Sequence, residues 1–140
     1  MANDPRVSVV MAVYNAEPYL EEAVRSILGQ TYDDLEFIII DDGSTDRSPA
    51  MLKAFADGDR RLNVHRQPNL GLIASLNKAC GLARGTYVAR MDADDISLSR
   101  RFEKQVHYLD VHNEIGVLGT WIQDLGADGQ PGPKIGRAHV

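Results

Sequence analysis

Apolar residues arrive in two rhythms along the first hundred positions, and their alternation predicts an α/β fold. Residues 7–13 (Val-Ser-Val-Val-Met-Ala-Val) make a short, β-branched, nearly continuous apolar run, as a strand buried on both faces of a parallel sheet requires. Asn15 then offers a helix-capping side chain, Pro18 suits a first turn, and Leu20, Val24, Ile27 and Leu28 recur at helical spacing before Gly29. A second strand over residues 36–40 breaks at the turn chemistry of Asp41-Asp42-Gly43-Ser44. A helix starting within residues 45–49 carries Met51, Leu52 and Phe55, and residues 62–66 form a weaker strand. After the turn Asn69-Leu70-Gly71, the residues Leu72, Leu76, Ala79, Cys80 and Ala83 share a helical face, which makes Cys80 a core residue. Gly85 stops that helix and residues 86–91 form a fourth strand. A fourth helix carrying Leu98, Phe102, Val106 and Leu109, and a fifth strand within residues 115–121, complete the pattern.

Strands separated by helices build βαβ units. The fold class expected is therefore a Rossmann-like, mostly parallel sheet with right-handed crossovers and helices on both faces. In such a sheet, ligands bind outside the carboxyl ends of the strands. The turns at residues 14–17, 41–44 and 92–95 should meet there, although they are distant in sequence.

Composition narrows the partners. At 140 residues and 44% hydrophobic, the chain is one domain's worth, and its net charge of −5 comes without any Lys/Arg run that could follow a nucleic acid backbone. The single cysteine forms no internal disulfide, the N-terminus lacks a basic leader, and no apolar run approaches the ~20 residues of a membrane span. The expected location is the cytoplasm or the inner face of a membrane, with any membrane attachment left to a C-terminal continuation.

The sharpest chemistry is Asp92-Ala93-Asp94-Asp95, three carboxylates directly after a strand. At an effective dielectric of 20, two unit charges ~4 Å apart repel by roughly 4 kcal/mol, so the cluster calls for a counter-charge. Oxygen ligands without Cys or His suit a hard ion such as Mg²⁺ or Mn²⁺, which commonly shares one or two carboxylates with substrate phosphates. At the other turns, Asp42 can accept a hydrogen bond from a base N–H, and Tyr14 offers a face for a flat ring. The helix after Asn15 adds N-terminal donors that favour an anion, a pull that Glu17 weakens. Simpler roles compete: Asp41 and Asp42 as turn formers, Tyr14 packed on the sheet, Glu17 on the helix dipole, Arg100 and Arg101 on an exposed face or paired with Glu103.

Together, residues 9–15 (Val-Val-Met-Ala-Val-Tyr-Asn), 40–46 (Ile-Asp-Asp-Gly-Ser-Thr-Asp) and 89–95 (Ala-Arg-Met-Asp-Ala-Asp-Asp) resemble the family 2 glycosyltransferases. The resemblance extends to about Gly129. It implies a GT-A fold, a nucleotide-sugar donor that is a UDP-sugar by family weight, a Mn²⁺ or Mg²⁺ ion on a D-x-D motif, and a glycan or lipid-linked acceptor. Carried over by position, Ala12 and Tyr14 wall the nucleoside, Asn15 and Glu17 adjoin it, and Asp42 contacts the base. Asn69, Gly71, Asn77 and Lys78 lie in the stretch that closes over the nucleotide. Asp92 and Ala93 approach the ribose and metal, and Asp94 is the main metal ligand with Asp95 beside it. Many relatives carry Arg where this chain has Leu76, which leaves a diphosphate or base contact either missing or supplied by Lys78 or Arg90. Family members are typically inverting enzymes of polysaccharide or glycan synthesis, and their general base lies beyond the acidic cluster, here beyond Val140.

Other classes fit less well. Gly-x-Gly-x-x-Gly is missing after the first strand, which disfavours a dinucleotide oxidoreductase, and Tyr14-Asn15 stands where an aspartate-nucleophile phosphatase needs its Asp. The alternative that stays open is a non-catalytic nucleotide-sugar-binding module. Residues 1–133 are expected to be the donor-binding part of a C-terminally truncated catalytic domain. Residues 134–140 are expected to be a non-native tail, since 135–140 match one reading frame of a common sequencing adapter.

Overall fold

A computed structural model describes residues 3–135. Its elements run β1 (Val7–Val13), α1 (Glu17–Leu28), β2 (Leu35–Asp41), α2 (Ser48–Gly58), β3 (Leu62–Arg66), α3 (Leu72–Leu82), β4 (Tyr87–Arg90), α4 (Arg101–Val111), β5 (Ile122–Leu125) and β6 (Pro131–Ile135). The chain divides after Phe102 into two units.

The first unit holds a four-stranded sheet in the order β3-β2-β1-β4, with every pair parallel. Val9 sits opposite Phe37 and Val10 opposite Ile38, so the apolar runs of β1 and β2 lie side by side. Both strands are buried along almost their whole length, because helices cover both faces. Val9, Met11, Val13, Phe37, Ile39 and Ile40 are fully shielded, each large side chain contributing about 1.5–3 kcal/mol as an upper estimate. Across one face, Ala79 of α3 packs with Val10, Ile38 and Ile40, flanked by Leu76 and Ala83. From β1 the sheet grows toward β2 and β3, then β4 returns to the other side of β1. That reversal opens a crevice at the carboxyl ends of β1 and β4.

At the opposite end of the strands, Glu36 is a buried staple. It accepts hydrogen bonds from Ser8 Oγ at 2.6 Å, from the Arg84 N–H at 2.8 Å and from Arg84 Nη2 at 2.9 Å. Burial pushes its carboxyl up, but the bonds from Ser8 and Arg84 hold it below the ordinary value. Gly85 completes the staple, donating its N–H to Ser8 Oγ at 2.8 Å. A Cβ on Gly85 would stand 2.6 Å from the Ser8 nitrogen and 2.9 Å from the Val7 carbonyl carbon. Gly85→Ala is therefore expected to cost about 1–3 kcal/mol, as overpacking does. An unchanged urea midpoint would show that β1 yields to the methyl group without strain.

Several sequence expectations need correction. Cys80 is exposed, because α3 turns Ser75 and Ala79 inward instead. Ala16 is the N-cap of α1, and Asn15 lies outside the helix at φ 49°. Leu98 is exposed and precedes α4. No fifth strand forms over residues 115–121, where Gly116 and Gly119 interrupt the apolar run. The second unit pairs β5 with β6 as an antiparallel hairpin, turned by Gly129 at φ 75°. Strand β6 takes in Lys134 and Ile135, the first two residues of the expected tail; residues 136–140 lie outside the described residues.

Candidate functional site

At the carboxyl ends of β1 and β4 lies a cleft of about 380 Å³, lined by Ala12, Tyr14, Asn15, Ala16, Tyr19, Leu72, Asp92, Ala93 and Asp94. Six residues expected from the sequence meet here: Ala12, Tyr14, Asn15, Asp92, Ala93 and Asp94. Tyr14 is 54% exposed, so it presents its ring to the cleft instead of packing on the sheet. Tyr19 and Leu72 are also exposed; the sequence pattern gives Tyr19 no role, and helical spacing puts Leu72 on the apolar face of its helix. Glu17, Asp42, Asn69, Gly71, Asn77, Lys78 and Asp95 are not in this lining. Asn77 and Lys78 lie exposed on α3.

The wall at residues 14–17 is fixed by the loop between β2 and α2. Asn15 adopts a left-handed conformation that Asn tolerates better than most residues. Its Oδ1 accepts the Thr45 N–H at 2.8 Å. In return Ser44 Oγ accepts the Asn15 N–H at 3.0 Å, Ser48 Oγ accepts that of Ala16 at 3.1 Å, and Asp46 Oδ2 accepts that of Glu17 at 3.1 Å. The donors at the start of α1 are thus spent within the protein, which corrects the expectation that they would await an anion. Glu17 serves the same junction. It accepts the Arg47 N–H at 3.0 Å and Arg47 Nε at 2.7 Å, and the Arg47 N–H, then its guanidinium, hold the Glu17 carboxyl below the ordinary range.

Asp41 and Asp42 follow one another at the end of a strand and so point to opposite faces. Asp41 is buried; its Oδ1 accepts the Ser44 N–H at 3.0 Å, and Arg66 Nε stands 3.7 Å from Oδ2, which has no hydrogen-bond partner among the described residues. Asp42 is also buried, and it closes the 67–71 loop. Oδ1 accepts Gln67 Nε2 and the Leu70 N–H, both at 2.8 Å, and Oδ2 accepts the Gly71 N–H at 2.9 Å. Burial pushes its carboxyl up, but bonds from Gln67, Leu70, Gly71 and Ser75 hold it below the ordinary value. The carboxylate that the sequence offers to a base already accepts three hydrogen bonds from the loop. Through Gly71, at φ 93°, it sets the position of Leu72 at the cleft.

Across the cleft is the acidic turn. Asp92 Oδ1 accepts Arg90 Nη2 at 3.0 Å and Nε at 3.1 Å, while Asp94 and Asp95 are exposed. Partial desolvation, then the charges of Asp92 and Asp94, push the Asp95 carboxyl up, with Arg101 and Arg90 opposing. Arg101 braces the turn from beneath: Nη1 donates to Ser97 Oγ at 2.9 Å and Nη2 to the Arg90 carbonyl at 3.1 Å. The sequence reading had placed it on an exposed face or against Glu103. Among the described residues, no three His, Cys, Asp or Glu side chains gather as a metal site. The cleft itself holds two carboxylates, Asp92 and Asp94. That oxygen pair fits an ion such as Mg²⁺, which takes one or two carboxylates and completes its shell with phosphate and water.

A parallel sheet with this strand order and a cleft at its reversal defines a Rossmann-like α/β protein with a ligand site at the strand ends, and comparison supplies the family. Residues 8–137 match glycosyl transferase family 2, to which the chain belongs. A Haemophilus influenzae protein described as an uncharacterized glycosyltransferase is 44% identical over 124 residues, covering 88% of this chain and 38% of that protein. Among solved structures, residues 1–349 of Staphylococcus aureus TarS in complex with UDP superpose with TM-score 0.72 at 26% identity, covering 77% of this chain and 33% of that one. The mannosyltransferase PcManGT of Pyrobaculum calidifontis, solved with GDP-Man and Mn²⁺, gives TM-score 0.68 at 31% identity, covering 76% of this chain and 33% of that one. The chain spans less than half the length of these relatives.

Proposed function

We propose that this chain is the donor-binding portion of an inverting, metal-dependent glycosyltransferase that uses a UDP-sugar in cell-surface polysaccharide or glycan synthesis. The carrying observation is that exposed Tyr14 lines the same cleft as Asp92 and Asp94. A base lies on the Tyr14 face, Ala12 leaves room on the floor, and Asp92 and Asp94 hold the metal. When bound, that Mn²⁺ or Mg²⁺ ion supplies Lewis-acid neutralisation of the diphosphate charge. The protein's own contribution is orientation: the 44–48 loop fixes residues 14–17, Asp42 fixes Leu72, and Arg101 braces the acidic turn. Such bracing holds the two walls of the cleft in place before the donor arrives.

In this reading, residues 1–133 form the donor half, and none of residues 1–140 serves as the acceptor hydroxyl's general base. Sugar transfer by residues 1–140 would overturn that last assignment. No helix among the described residues is long and apolar enough to cross a membrane. We place the enzyme in the cytoplasm or at the inner membrane face, acting on a glycan or lipid-linked acceptor.

A thermal melt with UDP, with MnCl₂ and with both tests the donor site. Ligand at about 100 times its Kd adds about 2.7 kcal/mol when it binds only the native state. A combined shift exceeding either alone is the expected result, and no shift in the folded protein would sink the reading.

A further inference from the structure

We infer that Arg90 is an exchangeable counter-ion of this site, pairing with Asp92 here and passing to the nucleotide's diphosphate as the cation takes Asp92, so that cation and nucleotide bind cooperatively. The inference rests on the donor-site reading above. Arg90 ends β4, opposite Val10 in the sheet register, and reaches forward two residues to a carboxylate that lines the cleft. It engages both oxygens: Nη2 lies 3.0 Å from Oδ1 and 3.3 Å from Oδ2, and Nε lies 3.1 Å from Oδ1. The partner best placed to share an ion with Asp94 is therefore already neutralised.

The two arginines at the turn differ in how firmly they are held. Arg101 is tied to Ser97 Oγ and the Arg90 carbonyl, with Met91 Sδ 3.7 Å from Nη1. Arg90 is solvated, at 56% exposure against 43% for Asp92, and an exposed ion pair of this kind is weak enough to exchange. A divalent ion arriving alone must evict the guanidinium and leave it beside a second positive charge. A diphosphate changes that balance, since its oxygens match the guanidinium's paired donors. Arg90 therefore hinders the bare cation and assists the cation with nucleotide.

The test is calorimetric titration of the whole chain with MnCl₂ alone, UDP alone and MnCl₂ in saturating UDP, for the parent, Arg90→Gln and Arg90→Lys. In the parent, UDP should tighten Mn²⁺ binding. Arg90→Gln should bind bare Mn²⁺ about three- to five-fold more tightly, the scale of one lost surface pair. UDP's enhancement of Mn²⁺ should shrink by at least that factor, and Mn²⁺'s enhancement of UDP by the same amount as UDP's of Mn²⁺, as linkage requires. Arg90→Lys keeps the charge and should fall between the two. If the parent couples UDP and Mn²⁺ and Arg90→Gln matches it in bare affinity and coupling, the exchange is wrong and the donor site stands. If the parent binds neither ligand, the donor reading fails and the exchange falls with it. Equal melting temperatures for all three proteins exclude a folding defect.

Discussion

Asp42→Ala is expected to lower folding stability by about 2–4 kcal/mol, although Asp42 lies outside the lining of the cleft. Its carboxylate accepts from Gln67 Nε2 and from the N–H groups of Leu70 and Gly71. Alanine leaves all three donors without that acceptor, and a buried orphan costs about 1–3 kcal/mol. Leu70 is 63% exposed, so water can reach part of the loop, which keeps the total below three full penalties. Acid should reveal the same group. Because the folded carboxyl is held below its ordinary value of 3.8, its stabilisation is fully present above that value and disappears as pH falls through the folded one. The gap between parent and variant in urea unfolding should therefore be widest at neutral pH and begin to close only once the pH falls below the ordinary value of 3.8. A gap that stays constant with pH would mean that the ionised form of Asp42 does not hold the loop. Loss of the latch also frees Leu72, so nucleotide affinity should fall in the variant.

The same residue shows what a sequence discloses and what it hides. Four parallel strands were legible because β-branched runs and helical periodicity leave little choice of element between residues 7 and 91. Each of these four matches its expected span to within about one residue at either end. Helix α3 was legible as a helix but not in its rotation. Leu72, Leu76 and Cys80 suggest one inward stripe, yet Ser75 turns inward because it accepts from Gln67 Nε2 at 3.1 Å and donates to the Gly71 carbonyl at 2.8 Å. A polar residue with a local partner can take a core position that hydrophobic patterning denies it.

The site divides along the same line. Tyr14, Asp92 and Asp94 reach the cleft because strand ends fix them. Asp42 and Glu17 suggest ligand contacts by their charge and by their place in the resemblance. Their occupants are donors from loops at 67–71 and 44–48, whose approach no local pattern encodes. Arg101 was hidden for the opposite reason: its charge suggested solvent, whereas its long stem lets the guanidinium reach beneath the acidic turn.

Asp94→Asn should remove the combined stabilisation by UDP and MnCl₂ while leaving the fold intact. Asp94 is exposed, and surface substitutions of this kind usually change stability by no more than about 0.5 kcal/mol. A lost ligand response therefore reports binding and not unfolding. Asparagine keeps the shape but replaces a charged oxygen pair with one neutral oxygen, and hard divalent ions depend on carboxylate charge. If affinity for the metal–nucleotide pair falls about 100-fold, a ligand concentration that gave about 2.7 kcal/mol in the parent gives only about 0.4 kcal/mol in the variant. The shift with UDP alone should survive, since the Tyr14 wall is untouched. An undiminished combined shift would move the metal contact to Asp92 or Asp95. Asp92 would then have to give up Arg90, so Arg90→Gln in the Asp94→Asn background separates the two: added Mn²⁺ affinity there assigns the ion to Asp92, and none assigns it to Asp95.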